Sequence, residues 1–176
     1  MLASQSHGIT IREIKESDLA QYRDLRLEAL RSAPTAFGAD YQESLQLPGG
    51  AWLERLRGNV GSHQQTIFVA EKDGLLLGMT GVQRGGGVKR QHTATIWGVY
   101  LRSNARGQGL AGTLLAHAML WAQQMGVTRL ELHVSTANAK ALTLYQRASF
   151  VIVGTLRDAV RIGVESVDMY ILERVL

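Results

Sequence analysis

Three closely spaced glycines constrain the fold of this chain more than any other feature of its sequence. Gly107, Gly109 and Gly112 form the pattern G-x-G-x-x-G within Arg102-Ser-Asn-Ala-Arg-Gly-Gln-Gly-Leu-Ala-Gly-Thr-Leu-Leu115. A segment typical of a strand precedes these glycines, and a segment typical of a helix follows them. Small residues at such a junction let backbone N–H groups approach an anion, and the positive end of the helix strengthens the attraction. The pattern therefore predicts a strand, an anion-binding loop and a helix.

The same spacing also occurs in dinucleotide-binding Rossmann domains. Glu131, 22 residues after Gly109, is near the position expected of a ribose-binding acid. Three features argue against that domain. Residues 102–106 separate the strand from Gly107, too little chain follows for a second nucleotide-binding half, and Glu131 lies in the middle of a predicted strand. A tight turn beside an exposed Arg106 is the remaining, purely structural interpretation.

Hydrophobic periodicity and turn signals along the rest of the chain predict a mixed sheet. We expect Ser17 to cap the first helix and Asp73-Gly74 to form a hairpin turn. Strands that follow one another in runs, with helices between only some of them, indicate an α/β (α+β) fold with a mixed central sheet of about seven strands. The predicted strands are residues 9–14, 66–73, 74–82, 93–101, 129–134, 150–156 and 164–172, and the predicted helices are 18–31, 52–57, 108–125 and 138–148.

Length and composition narrow the class of protein. We expect residues 1–176 to form a single domain, because this length can bury a sizeable core. The absence of cysteine excludes disulfides and a cysteine nucleophile, and it fits a cytoplasmic location. The chain start lacks the features of a signal peptide, and no segment has the ~18 apolar residues of a membrane helix, so we expect no membrane association.

Charge and histidine spacing exclude further classes. The net charge of +4 comes from scattered basic residues, so a solvated surface is a better interpretation than nucleic-acid binding. The five histidines show no metal-ligand spacing, and we therefore expect no metal site.

Two motifs resemble those of the GNAT acetyltransferase superfamily. Arg106-Gly-Gln-Gly-Leu-Ala111 resembles its R-x-x-G-x-G/A motif, and Asn138-Ala-Lys-Ala-Leu-Thr-Leu-Tyr-Gln-Arg-Ala-Ser-Phe150 resembles N-x-x-A-x-x-L-Y-x-x-x-G-F. A helix and a strand separate the motifs, as the family requires, and the predicted order of elements is also the family's order. The resemblance covers nearly the whole chain. It implies a GNAT fold, with acetyl-CoA held between splayed strands, and N-acetyltransferase (acyltransferase) activity.

The resemblance also implies a set of site residues. Main-chain groups of Val99, Tyr100 and Leu101 would pair with the pantetheine arm, and Asn138 would bind the cofactor or cap its helix. Tyr145 stands where the family places the acid that protonates the departing thiolate, and a packed aromatic on an amphipathic helix is the alternative interpretation. The loop residues that would grip the pyrophosphate are Arg106, Gly107, Gln108, Gly109, Leu110, Ala111 and Gly112.

The sequence departs from the family pattern at two places. Ser149 replaces the glycine before the final Phe, and the strand at 93–101 lacks the glutamate that many members use as a general base. Glu131 and His133, on one face of a strand, are the first candidates for that base. His92, Glu43 and Asp168 are further candidates. Because there is no cysteine, we expect the amine to attack acetyl-CoA directly in a ternary complex.

The resemblance places the acceptor, an amine of a small molecule or a peptide, beside residues 33–47 and 155–167. Phe37 and Tyr41 would shape its slot, or simply pack. Two other functions stay open at this stage: a non-catalytic acyl-CoA-binding regulatory module, favoured by the missing glutamate, and a nicotinamide-dependent oxidoreductase. Dimerisation is common in the family, so a homodimer is compatible with this sequence.

Overall fold

The computed structural model describes residues 8–176, which form a seven-stranded mixed sheet with helices on both faces. The strands are β1 Ile9–Glu13, β2 Gln65–Lys72, β3 Leu75–Arg84, β4 Thr93–Leu101, β5 Arg129–Ser135, β6 Val151–Ile162 and β7 Glu165–Val175. The helices are α1 Leu19–Ser32, α2 Tyr41–Leu45, α3 Gly49–Arg57, α4 Leu110–Gln124 and α5 Ala139–Arg147. Residues 1–7, which bear on the signal-peptide prediction, lie outside the described residues.

The strand order is β1-β2-β3-β4-β5-β7-β6. Between residues 8 and 176, β4 and β5 are the one parallel pair, and the other neighbouring strands are antiparallel. The prediction of a mixed sheet is therefore confirmed. A Rossmann domain needs a mostly parallel, doubly wound sheet, so that alternative interpretation of the glycine pattern is wrong.

The prediction that Ser17 caps the first helix is wrong, and one short helix has no counterpart among the predicted elements. Ser17 does not cap α1: it lies in a 3-10 turn at Glu16–Asp18, where the carboxylate of Asp18 accepts from the Lys15 N–H at 2.8 Å. The helix α2 was not predicted at all. It is a single short turn capped by Asp40, whose side chain accepts from the Glu43 N–H at 2.9 Å, and five residues are too few to show helical periodicity.

Several predicted boundaries also move. The helix α3 begins at Gly49 and not at 52, and β7 ends at Val175 and not at 172. We expected the helix after the glycines to begin near residue 108, whereas α4 begins at Leu110, because Gly107 and Gly109 both have φ of +76° and cannot belong to a right-handed helix. We expected one closing strand to end at 156, whereas β6 continues to Ile162. Its outer half pairs with β7 in an exposed hairpin, where no core pattern marks it in the sequence.

Successive strand residues build two apolar layers, one on each side of the sheet. In β2, Ile67 and Val69 join the layer under α1 and α3, whereas Phe68 and Ala70 join the layer under α4. We call these sides the α1 face and the α4 face. The helix α5 contributes Tyr145 to the α4 face. Because both faces are covered, the middle of the sheet presents little open surface apart from the site described next.

Candidate active site

A cleft opens where β4 and β5 separate. The two strands pair only from Thr93 to Thr95 on β4 and from Arg129 to Glu131 on β5, so the open edge of β4 beyond Thr95 has no partner strand. The splay predicted from the family resemblance is therefore present. The cavity at this point has a volume of about 60 Å³, and its lining residues are Ala36, Phe37, Ile96, Trp97, Gly98, Val99, His133, Val134, Asn138, Ala141 and Tyr145.

A bulge in β4 shapes one wall of the cleft. Gly81 pairs with Trp97 and Met79 pairs with Tyr100, so Gly98 and Val99 together stand opposite the single residue between them on β3. Gly98 has φ of +65°, a conformation that glycine adopts without strain. The bulge takes the main chain of Gly98 and Val99 out of the regular ladder and leaves it beside the cavity. An isolated glycine within a strand pattern is the sequence signal that could have identified this bulge.

The cleft crosses the sheet and has two differently built sides. Asn138, Ala141 and Tyr145 border it from α5 on the α4 face. Phe37 and Trp97 border it from the apolar layer of the α1 face. Two molecules could therefore enter from opposite faces and meet between β4 and β5.

The glycine loop and the start of α4 form an open cradle of N–H groups. Gly109 is the N-cap residue of α4, and no side chain in the described part of the chain caps this helix. The first N–H groups of a helix lack intrahelical partners, and the helix dipole makes this end attractive to anions. Neither Gly107 nor Gly109 has another atom within 4 Å of the position of an added Cβ, so the space above both residues is open.

Arg106 directly precedes this cradle in the chain. Its Nε donates to the carbonyl of Leu101 at 3.0 Å, and its Cζ lies 5.7 Å from the centroid of the Tyr100 ring. These contacts use one N–H group of the guanidinium and leave four donors for an anion. The resulting arrangement of one cation and several free N–H groups fits a pyrophosphate.

The other residues of the loop offer main-chain groups, more than side chains, to a ligand in the cradle. Gln108 bonds within the loop, from its Nε2 to the Asn104 carbonyl at 3.1 Å, and Leu110 is buried in the core. The side chain of Tyr100 points away from the cradle into the α1 face, where its hydroxyl donates to Glu28 at 3.0 Å. Ala111 and Gly112 lie in the first turn of α4, where their N–H groups are accessible to a ligand.

Asn138 and Tyr145 lie about two helical turns apart on the cleft's α5 side. The Oδ1 of Asn138 accepts from the Ala141 N–H at 3.1 Å, so Asn138 does cap α5 while lining the cavity. Tyr145 is 7% exposed, its hydroxyl has no hydrogen-bond partner among residues 8–176, and burial raises its pKa to about 12. A neutral phenol facing a cleft can donate a proton.

A Schellman motif holds Tyr145 in place. The Ser149 N–H donates to the Gln146 carbonyl at 2.9 Å, and the Phe150 N–H donates to the Tyr145 carbonyl at 3.0 Å. The rings of Tyr145 and Phe150 pack edge to face at 6.1 Å. Ser149 has φ of +62°, so the serine adopts the left-handed conformation that a glycine would adopt more easily.

Of the five candidate bases, His133 is the one that lines the cleft. Its Nε2 lies 3.5 Å from Glu131 Oε1, and Glu131 also pairs with Arg129 at 3.2 Å, so Glu131 is held beside His133 and away from the cavity. His133 alternates with Leu132 and Val134 of the α4 face, which puts its side chain on the α1 face. The cavity lining does not include His92, Glu43 or Asp168.

Of the two segments predicted to lie beside the acceptor, 33–47 contributes residues to the cavity lining and 155–167 does not. Phe37 lines it, whereas Tyr41 lies in α2 and packs against the α1 face outside the cavity. The segment 155–167 forms the exposed β6–β7 hairpin and contributes no residue to the cavity lining.

Two residues near the cleft were not identified from the sequence. Trp97 lines the cavity and lies across β3, where a Cβ on Gly81 would be 2.2 Å from Trp97 Cε2. Arg26 of α1 stacks on Phe37, with its Cζ 4.9 Å from the ring centroid. Neither carries a motif, and only the packing of α1 on the sheet brings Arg26 to this position.

Two other kinds of feature are absent from residues 8–176. This part of the chain has no group of three or more acidic, histidine or cysteine side chains that could hold a metal ion. It also has no helix with the length and apolar character needed to cross a membrane.

Comparisons with known proteins agree with this geometry. The model of the Acetyltransferase (GNAT) family matches residues 22–150. The L-amino acid N-acetyltransferase AaaT of Escherichia coli (strain K12) is 32% identical over 140 residues, which cover 77% of this chain and 83% of that protein.

Solved structures share the fold. A GNAT-family acetyltransferase from Streptococcus pneumoniae matches with a TM-score of 0.84 and 24% identity, over 96% of this chain and 99% of that one. The acetyltransferase yncA from Salmonella typhimurium, solved with its cofactor acetyl-CoA, matches with a TM-score of 0.83 and 16% identity, over 97% of this chain and 95% of that one.

Proposed function

This chain belongs to the GNAT family of N-acetyltransferases, which use acetyl-CoA, and we propose that it transfers the acetyl group directly to a primary amine in a ternary complex. The family match and the enzyme relative favour an enzyme over the non-catalytic module that the missing strand glutamate left open. The observation that carries the proposal is the cleft between β4 and β5, which is lined by residues of both faces of the sheet, together with the anion cradle at the start of α4.

The donor would bind on the α4 face. The cradle formed by Arg106, Gly107, Gln108, Gly109 and the first turn of α4 supplies N–H groups and a cation for the pyrophosphate. The open edge of β4 offers main-chain groups of Val99 and Leu101 to an extended amide-containing arm, as a missing strand would use them. Asn138 borders the same path. Bound acetyl-CoA would supply an activated thioester for the transfer.

The acceptor amine would enter from the α1 face. An amine must be neutral to attack a carbonyl carbon, and an imidazole can accept a proton near neutral pH. His133 is the candidate for this step because it lines the cleft on the α1 face and Glu131 lies beside it. The main-chain N–H of the β4 bulge would stabilise the developing oxyanion.

Tyr145 would complete the transfer from the opposite side. When the C–S bond breaks, the thiolate gains a proton, and the buried phenol of Tyr145 is the neutral donor on the α4 face. Its raised pKa keeps the proton on the phenol until the thiolate forms.

The experiment is a thiol-release assay with acetyl-CoA and a panel of amines, beginning with L-amino acids because the E. coli relative is named for them. We expect Tyr145→Phe to lower kcat by at least ~100-fold and to change acetyl-CoA binding little, because only the proton donor is lost. Tyr41→Phe is the matched control, since Tyr41 lies outside the cavity. Equal kcat values for wild type and Tyr145→Phe would remove Tyr145 from the mechanism.

A further inference from the structure

A guanidinium without a carboxylate partner borders the α1 side of the cleft. Arg26 Nη1 is buried and has no hydrogen-bond partner among residues 8–176. The guanidinium stacks on Phe37 at 4.9 Å, and Nη1 is 3.6 Å from the position that a Cβ on Gly98 would occupy. Because Phe37 and Gly98 both line the cavity, Arg26 lies directly behind its wall.

Two other half-buried arginines, Arg12 and Arg102, each pair with a carboxylate, whereas Arg26 does not. Arg12 pairs with Asp18 at 2.7 Å, and Arg102 pairs with Glu28 at 2.7 Å. Glu28 is on the same helix as Arg26, but one of its carboxylate oxygens binds Arg102 and the other accepts from the Tyr100 hydroxyl at 3.0 Å. Glu28 is therefore engaged, and Asp24, the other carboxylate of α1, forms no ion pair with Arg26 in the described part of the chain.

The surroundings of Arg26 do not compensate its charge. The ionisable groups that influence it are Tyr22, whose own burial raises its pKa, and Arg55, a second cation. Burial lowers the pKa of Arg26 itself, which is the expected effect on a cation removed from water without a counter-ion. A ring face such as that of Phe37 offsets only part of this desolvation. An anion that arrives with the substrate would supply the missing partner.

A second unpaired donor belongs to Trp97, another residue that lines the cavity. The Nε1 of Trp97 is buried and has no hydrogen-bond partner in the described part of the chain, although Trp97 lines the cavity. Trp97 directly precedes Gly98 in β4, and Gly98 is the residue that Arg26 approaches. An indole N–H can only donate, and a guanidinium can only donate, so both groups require acceptor atoms.

We propose that Arg26 and Trp97 form a carboxylate subsite for the acceptor, so that the substrates are small amino acids carrying the carboxylate next to the reacting amine. This inference rests on the proposed function, because it assigns the acceptor of that same cleft. The carboxylate binds toward Arg26 and Trp97 on the α1 face, and the amine points between His133 and the β4 bulge. A guanidinium suits this task because it donates two parallel hydrogen bonds to one carboxylate.

The subsite predicts a selectivity that can be measured. Amino acid carboxamides are close in size to their parent acids but lack the negative charge, so they should be poor acceptors. Polyamines bring additional positive charge towards Arg26 and Arg55 and should be poorer still. The probes are L-alanine, L-leucine and L-phenylalanine, each compared with its carboxamide, together with spermidine.

The first experiment compares kcat/KM for these probes in wild type and in three variants. We expect wild type to prefer the acid to the carboxamide by at least tenfold. Arg26→Gln should raise KM for the acid at least tenfold, abolish the preference and leave the carboxamide rate and the acetyl-CoA Kd unchanged. Trp97→Phe keeps the ring but removes the donor, so it should reduce the preference in part. Arg23→Gln, on the same helix, is the matched control and should behave as wild type.

A second measurement separates this inference from the proposed function. Each acid and its carboxamide is titrated calorimetrically into the enzyme with CoA, which carries no acetyl group to transfer. Binding of the acid that exceeds binding of the amide and is lost in Arg26→Gln would support the subsite even if no amine were acetylated. Equal binding of acid and amide, or equal losses for both in Arg26→Gln, would overturn it, whatever the outcome of the thiol-release assay.

Discussion

Ser149 is the residue whose backbone conformation most clearly costs stability. It has φ of +62° at the end of α5, where its N–H and that of Phe150 complete the turn that holds Tyr145. A non-glycine residue in this conformation carries roughly 1–2 kcal/mol of strain, whereas glycine carries almost none but gives up some entropy.

We expect Ser149→Gly to stabilise the fold by about 0.5–1 kcal/mol, which corresponds to roughly 1–4 °C in Tm. Ser149→Ala, which retains the strain and is the matched control, should not be more stable than wild type. Thermal unfolding followed by circular dichroism measures both variants. A lower Tm for Ser149→Gly would mean that the serine hydroxyl contributes a contact that outweighs the strain.

Burial of Tyr145 makes stability depend on alkaline pH. Its pKa is about 12 in the fold and about 10 in the unfolded chain. Below pH 10 both states keep the proton, but above it the unfolded state loses its proton first, so stability falls as pH rises from 10 to 12.

Tyr145→Phe removes this titration. Between pH 9 and pH 11, wild type should therefore lose about 1 kcal/mol more stability than Tyr145→Phe. Urea unfolding at the two pH values measures the difference, and Tyr22 contributes equally to both proteins. Equal losses of stability in the two proteins between pH 9 and pH 11 would show that the Tyr145 phenol is not buried.

At the scale of elements, one ion-pair cluster fastens β1, β2 and the start of α1 together. The Arg12 guanidinium binds Asp18 through Nη1 at 2.7 Å and Nη2 at 2.9 Å, and its Nε binds Glu71 at 2.6 Å. The bond from Arg12 holds the pKa of the Asp18 carboxyl below its usual value. The stability from this pair is therefore present above the unfolded pKa of about 4 and is lost as pH falls through the lower folded pKa.

We expect Asp18→Asn to destabilise the fold at pH 7 by about 3 kcal/mol, because Asp18 is almost fully buried and Arg12 loses a partner. The stability of this variant should also change less than that of wild type below pH 4. Glu16→Gln breaks the exposed pair with Arg57 and is the matched control, and it should cost far less stability than Asp18→Asn. Urea unfolding at pH 7 and pH 3 tests both variants. Equal costs for the two substitutions would mean that burial adds nothing to the Arg12–Asp18 pair.

Elements with strong local signals could be predicted, and those that depend on distant contacts could not. Hydrophobic periodicity and glycine positions were enough to predict the seven strands and α4. A strand's alternating pattern and a left-handed glycine are local properties of the sequence. Ser17 was assigned as a cap because its residue type is suitable, but Arg12 and the Lys15 N–H draw the carboxylate of Asp18 into a different turn. The short helix α2 has too few residues for a periodic signal.

The same distinction applies to the candidate site. The cradle and Tyr145 belong to contiguous motifs, so their positions in the sequence identify them. His133 could be named as a candidate base but not chosen over Glu131, since both share one strand face and only the splay of β4 from β5 exposes His133. Arg26 is 72 residues from Gly98 in the chain, and its lack of a partner appears only when α1 packs on the sheet.

At the scale of the whole molecule, one continuous sheet carries both apolar layers, and the two faces share the strands that form the cleft. We propose that the chain is one folding domain. Urea unfolding followed by tryptophan fluorescence, which reports on Trp52 and Trp97 of the α1 face and Trp121 of the α4 face, should then coincide with unfolding followed by circular dichroism. Two separated unfolding transitions would show that the chain folds as more than one unit.

The homodimer stays a prediction. Sedimentation at increasing protein concentration would test it.

The central claim is that the cradle at the start of α4 binds the pyrophosphate of acetyl-CoA, and one calorimetric titration tests it most directly. Gly109 and Gly126 stand at opposite ends of α4, with φ of +76° and +75° and open space around both. Alanine at either position imposes similar backbone strain, but only Gly109→Ala adds a methyl group to the cradle. We expect acetyl-CoA to bind wild type and Gly126→Ala alike and to bind Gly109→Ala at least tenfold more weakly. Equal binding to all three proteins would contradict the claim.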